Sequence, residues 1–193
     1  MYRGLTWWLL AHQVDVASAA AVAQLVRRPK IEVGTDPDAP SIRVDGADVA
    51  DRIRTREVSN AVSAVAAVPQ VRAHLIAMQR AIIAGAVAAG EGIVAEGRDV
   101  GSVIAPEAPV KVYLTASETA RARRRSADLA GQPGVTVALT QSEQARRDRS
   151  DAPQLARAAD AVEIDSSSIG LDEVTMQIVS LAMSRTAGAA WTS

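Results

Sequence analysis

An α/β fold, a mainly parallel sheet flanked by helices, is predicted by three features of this sequence. Three short apolar runs, "GIVAEG", "APVKVYLT" and "AVEIDSS", read as strands, and stretches with helical or loop signals follow them. Strands joined through helices need crossover connections, which make parallel sheets buried on both faces. Finally, 193 residues, 48% of them hydrophobic, are enough for one compact domain with a core of its own.

The elements follow in chain order. "MYRGLTWWLLAH" has Leu5, Trp8, Leu9 and His12 on one helical face but no capping residue at its start. A second helix is expected from about Ser18 to Arg27, where Pro29 breaks the pattern. "KIEVGTDPDAPSIRVDG" predicts two short strands around a Pro/Asp/Gly turn. Thr55 to Val68 is helical, and Pro69, suited to a first helical turn, opens a longer helix that ends at Gly90 and Gly92. The strand "GIVAEG" and the strand "APVKVYLT" come next. "TASE", Thr115 to Glu118, has the S/T-x-x-E form of a capping box, so a helix should run from about Ser117 to Ala130 and stop at Gly131. The third strand starts at Ala161, a last helix spans Leu171 to about Ser184, and the tail 185–193 should be loose.

Composition narrows the function classes. A net charge of −1 argues against a general nucleic-acid binder, which would carry a basic excess. With no cysteine there is no disulfide, thiolate metal site or thiol nucleophile, and His12 and His74 are too far apart in sequence to suggest a zinc site. No run approaches ~18 uninterrupted apolar residues, and the start lacks the layout of a signal peptide. These features point to a cytoplasmic protein with no membrane partner. Lys30 and Lys111 are the only lysines among 21 basic residues. Arginine's planar fork suits bidentate phosphate contacts, although a GC-rich coding bias gives the same excess.

The chemistry concentrates at Arg98 and Asp99, placed directly after an expected strand, where parallel sheets bind ligands. An arginine there can hold a phosphate, and the adjacent carboxylate can accept from an exocyclic amine or a ribose hydroxyl. A local ion pair that ties down a loop explains the same dipeptide. A second arginine group, "RARRR" from Arg121 and "RRDRSD" from Arg146, flanks the turn "LAGQPGV" and suggests two helical arms with a flexible tip, a lid. Arg124 lies over Asp128 at i,i+4 spacing, so part of this group is a solvated surface.

With those residues in view, "EGRDVGSVIAPEAPVKVYLTAS" closely resembles the central segment of bacterial cytidylate kinases, in which a strand ends in G-R-D before G-[ST]-V-[VI]-x-P-x-A-P-V-K. "DRIRTREVSNAVSAVAAVPQVR" is similar to that family's CMP-binding region, an I-R-x-x-x-V segment leading into S-x-V-[AS]-x-x-P-x-V-R, and "MYR" resembles the end of its D-[ST]-G-A-M-Y-R segment. The resemblance covers nearly the whole chain in order. It implies a P-loop NTPase-like nucleoside monophosphate kinase in one domain, with a CMP-binding region over 28–75 and helical arms and a lid over 117–152. The implied reaction moves the γ-phosphate of ATP to CMP or dCMP with Mg²⁺, in a monomer when full length.

Carried over by motif, Arg3, Arg98 and one lid arginine would hold the CMP phosphate. Ser63, Arg72 and Asp99 would read the cytosine, whose edge presents an amine beside a ring nitrogen and a carbonyl. Arg147 would neutralise the transferring phosphoryl group and Asp151 would meet the ribose. Two departures stand out. After Asp151 the link "APQLARAAD" is short, which leaves open whether Arg157 replaces a lid arginine. Second, no G-x-x-x-x-G-K loop occurs in the sequence, so no group is identified for the ATP phosphates. The expectation is a truncated kinase, without its first strand, P-loop and first helix, inactive in phosphoryl transfer as it stands. The alternatives are a non-catalytic CMP-binding or fragment protein, and a kinase for another monophosphate such as UMP.

Overall fold

The computed structural model of the chain describes residues 1–128 and 157–186. It divides into two compact units, one ending at Val94 and the other starting at Ala95.

In the first unit, helix α1 (Tyr2–Ala11) packs on helix α3 (Arg56–Ala66). Leu5 and Leu9 are fully buried and Trp8 nearly so, as their spacing predicts. His12 completes the stripe differently: it is exposed, and its ring stacks on that of Trp8 with centroids 3.9 Å apart. Gln13 ends the helix at φ 56°, with its N–H on the Leu10 carbonyl and the Val14 N–H on that of Leu9. This is a Schellman ending with glutamine in the seat glycine usually takes. Helix α2 (Ala19–Leu25) is capped by Ser18, whose hydroxyl accepts from the Ala21 N–H, and it sends Val22 into the core.

Strands β1 (Ile31–Val33) and β2 (Ile42–Val44) form the expected hairpin, with Ile31 opposite Val44. An unexpected third strand, β3 (Ala47–Asp48), pairs back onto β2. Its two-residue turn is Asp45-Gly46, with φ of 51° and 80°, the left-handed pair that a tight hairpin demands. The Asp45 carboxylate accepts from Trp8 Nε1 at 2.7 Å and from the Lys30 N–H at 2.8 Å, and so fastens the turn to α1.

Thr55 caps α3, accepting from the Val58 N–H. Helix α4 (Pro69–Ala88) begins with Pro69 in its first turn and ends at Gly90, φ +74°, where the Glu91 N–H reaches back to the Ala86 carbonyl. Val71 and Leu75 join Val65 and Val68 in the core with the α1 stripe. By length and composition α4 would also suffice to cross a membrane; Val71 and Leu75 are its buried residues.

The segment across the boundary between the units, and the second unit itself, depart further from expectation. Gly92–Gly97, expected as a strand, carries no ladder, and Val94 is almost fully exposed. An apolar run becomes a strand only when a neighbour takes up its backbone hydrogen bonds, and among the described residues none does. Strands β4 (Val112–Thr115) and β5 (Val162–Asp165) do pair in parallel, Val112 opposite Val162, as the crossover argument requires. The described residues thus hold helices with one parallel strand pair, as an α/β fold requires, and an antiparallel meander in the first unit. Helix α5 (Glu118–Asp128) is capped by Ser117, whose hydroxyl accepts from the Ala120 N–H at 3.2 Å. Thr115 lies in β4 and cannot serve as the cap of the expected capping box. Helix α6 (Leu171–Thr186) buries Val174. The predicted stop at Gly131 and the tail from 187 lie outside the described residues.

At the amino end of the pair, Lys111 is buried and donates to the Pro106 carbonyl and to both Asp160 carboxylate oxygens, at 2.7 and 3.0 Å. The hydrogen bond from Lys111 holds the Asp160 carboxyl below its ordinary value. A lowered folded-state value means that this bond's stability is fully present above about pH 4, the unfolded-state value, and is lost as pH falls through the lower folded value. Thermal denaturation from pH 7 to pH 2.5 should therefore show a loss of stability at the acid end that is smaller in Asp160→Asn, the variant being already weakened at neutral pH.

Candidate functional site

The motif spacing in the first unit acquires a physical meaning in the fold. Val58, Val65 and Val71, the apolar positions of the I-R-x-x-x-V and S-x-V…P-x-V-R segments, are buried. Pro69 starts α4, and the Ala67 N–H donates to the Ser63 carbonyl at the corner. Ser63 therefore lies in the last turn of α3 and Arg72 in the first turn of α4, both half-buried. Nine residues of separation place a hydroxyl and a guanidinium on the two sides of one helical corner.

Arg3 belongs to the same unit. It extends from the first turn of α1, and its Nη1 donates to the Ile53 carbonyl and to Ser59 Oγ, both at 2.9 Å. Ser59 stands one helical turn before Ser63 on α3, and sequence reasoning missed it. The available signal was the i,i+4 spacing of two serines on one helix.

In the second unit, Arg98 is exposed and Asp99 buried. Asp99 opens a π-helical turn, Val100–Ile104, its carbonyl accepting from the Val103 and Ile104 N–H groups. Gly97 lies tightly against the turn: a Cβ there would stand 2.9 Å from Val100 Cγ2, and the valine would have to shift. A Cβ at Gly101 would touch the Lys111 stem and Ala158, so the turn packs near the amino end of β4. This corrects the expected position of Arg98 and Asp99 after a strand: with Gly92–Gly97 unpaired, they follow an extended segment instead.

The carboxyl ends of β4 and β5 carry a different group. Ser166, almost fully buried, donates from its N–H and its hydroxyl to the Thr115 carbonyl. Arg124 of α5 donates to Ser166 Oγ at 3.0 Å, to the Ser166 carbonyl, and to the Ile169 carbonyl at 3.3 Å. The Ser167 hydroxyl and N–H donate to Asp165 Oδ1 and hold that carboxyl below its ordinary range. Arg124 is thus a clamp on the loop after β5 rather than only a solvated surface charge. Sequence reasoning missed Ser166 and Ser167, although three serines directly after a strand were a visible hint of turn hydrogen bonding. Arg157 binds Glu163 and the Ala161 carbonyl, over the Tyr113 ring. That puts it near the amino end of β5. Arg147 and Asp151 lie outside the described residues.

No cluster of three or more acidic, histidine or cysteine side chains gathers among the described residues. They do not form a protein cage for Mg²⁺, which in phosphoryl transfer is commonly carried by the substrate phosphates and one or two carboxylates.

The cytidylate kinase family model matches residues 1–184. The chain is 44% identical to a cytidylate kinase of Streptomyces avermitilis over 184 residues, covering 93% of this chain and 77% of that protein. It is 45% identical to the Streptomyces coelicolor cytidylate kinase over 191 residues, 97% of this chain and 80% of that one. A Geobacillus kaustophilus cytidylate kinase is 41% identical over 190 residues, with 96% and 83% covered.

Replacing Arg124 with methionine removes three charge-assisted donors from the loop after β5. It should lower unfolding stability by about 1–3 kcal/mol and speed amide exchange over 166–170, measured by urea denaturation and hydrogen exchange.

Proposed function

The chain belongs to the cytidylate kinase family, and we propose that it transfers the γ-phosphoryl group of ATP to CMP or dCMP. The observation that carries the acceptor half of this reading is the guanidinium of Arg3, held by Ile53 and Ser59 on the helix that also bears Ser63. A guanidinium fixed in direction beside a half-buried hydroxyl suits a phosphate and a polar base edge.

In this reading Arg3 and Arg98 hold the CMP phosphate. Ser63, Arg72 and Asp99 read the cytosine, with the Asp99 carboxylate accepting from the exocyclic amine. Arg147 offsets charge on the transferring group and Asp151 meets the ribose. An oxygen of the CMP phosphate attacks the γ-phosphorus of ATP, the bond to the β–γ bridging oxygen breaks, and ADP leaves with that electron pair. The protein's part is to orient the acceptor and to spread arginine charge over the equatorial oxygens. Mg²⁺ arriving on ATP would supply neutralisation of the β- and γ-phosphates. Because the sequence contains no G-x-x-x-x-G-K segment, the acceptor site is the half of the reaction that these residues put to the test. The same reading has the protein work in the cytoplasm, as a monomer, on small nucleotides.

Calorimetric titration with CMP and UMP tests it. Wild-type protein should prefer CMP. Arg98→Ala should weaken CMP binding about tenfold or more, the scale of a charged hydrogen bond, and Asp99→Ala should erase most of the preference over UMP. Unchanged CMP affinity and preference in both variants would contradict the assignment.

A further inference from the structure

We propose that Ser59 is a positioning residue of the CMP site, fixing the Arg3 guanidinium in the direction that meets the acceptor phosphate. The inference rests on the reading of Arg3 as a phosphate contact and extends it to a residue that no motif marks. Arg3 hangs on a long, flexible stem, so its head needs an external constraint to point one way. Two acceptors on Nη1 supply it: the Ile53 carbonyl, from the turn Arg52–Arg54, and the Ser59 hydroxyl, from α3, both at 2.9 Å.

Ser59 is only 5% exposed, so this hydroxyl is withdrawn from competing water and its bond to a cation is strengthened. It also sits at a core-facing position at the end of the first turn of α3, inside the hydrogen-bonded helix, where alanine would have the better helix propensity. A buried hydroxyl kept at such a place has a partner to satisfy, and Arg3 is that partner. The same face carries Ser63 one turn later, so α3 spaces the phosphate-holding group from the base-reading hydroxyl along its own axis.

Titrations of wild type, S59A, S59T and R3A with CMP and with cytidine, which lacks the phosphate, separate positioning from general support. S59A should weaken CMP binding three- to tenfold, leave cytidine within twofold, and add nothing further in the R3A background; S59T should restore CMP binding. S59V set against S59T repeats the comparison at constant side-chain bulk should S59A fold poorly. If R3A weakens CMP binding and S59A does not, Arg3 acts without Ser59 and the inference fails while the functional reading stands. An equal loss for CMP and cytidine in S59A would mark a merely structural serine and overturn the inference. CMP affinity unchanged in R3A, or no saturable CMP binding by wild type, would overturn the reading of the site and the inference together.

Discussion

Burial of the Leu5, Trp8 and Leu9 stripe against the valines of the α3–α4 corner is the interaction on which the first unit depends. Each such side chain contributes roughly 1.5–3 kcal/mol when fully buried, so the stripe as a whole outweighs any single polar contact nearby. That burial sets the rotation of α1 about its axis, and the rotation decides which side of α1 Arg3 leaves from. Polar contacts then refine what packing has set. Asp45 ties the hairpin turn to Trp8, and Ser59 with Ile53 holds Arg3. Apolar packing brings the α1 arginine to the face that carries Ser63, and hydrogen bonds determine its aim.

The second unit is organised by other means. A two-stranded sheet is marginal by itself, and the β4–β5 pair is fastened at each end by a polar link, through the buried Lys111 at one end and the buried Ser166 at the other. Lys111 with Asp160 and the Pro106 carbonyl closes the amino end, next to the turn that presents Asp99. Arg124 with Ser166 and Ile169 closes the carboxyl end and joins α5 to the loop after β5. Lys111 is a buried cation, so its link is costly to break from one side. The turn bearing Asp99 and the loop held by Arg124 are thereby both anchored to the same short pair of strands.

Much of this was legible in the sequence. Periodicity located α1, α4 and α6, Pro69 and Gly90 marked the limits of α4, and the crossover argument gave the parallel sense of β4 and β5. The motif order pointed to the family that the comparisons support, and it put Ser63 and Arg72 on one helical corner. What the sequence hid depends on neighbours. "GIVAEG" has strand composition, but pairing is a property of two segments. The meander strand β3 hung on Asp45-Gly46, whose left-handed preference was outweighed by the louder Pro/Asp/Gly turn before it. Thr115 and Ser117 both look like caps, and only the end of β4 decides between them. Ser59 and Ser166 take their meaning from arginines 56 and 42 residues away, a separation at which no local pattern points to the partner.

The central proposal is that this chain reads cytidine monophosphate through Arg3, Ser63, Arg72, Arg98 and Asp99. The most direct test is a ¹⁵N–¹H correlation spectrum recorded during titration with CMP. The account predicts saturable shifts clustered at these five residues, with a common dissociation constant. Shifts confined to the loop after β5, or absent from the α3–α4 corner, would contradict it.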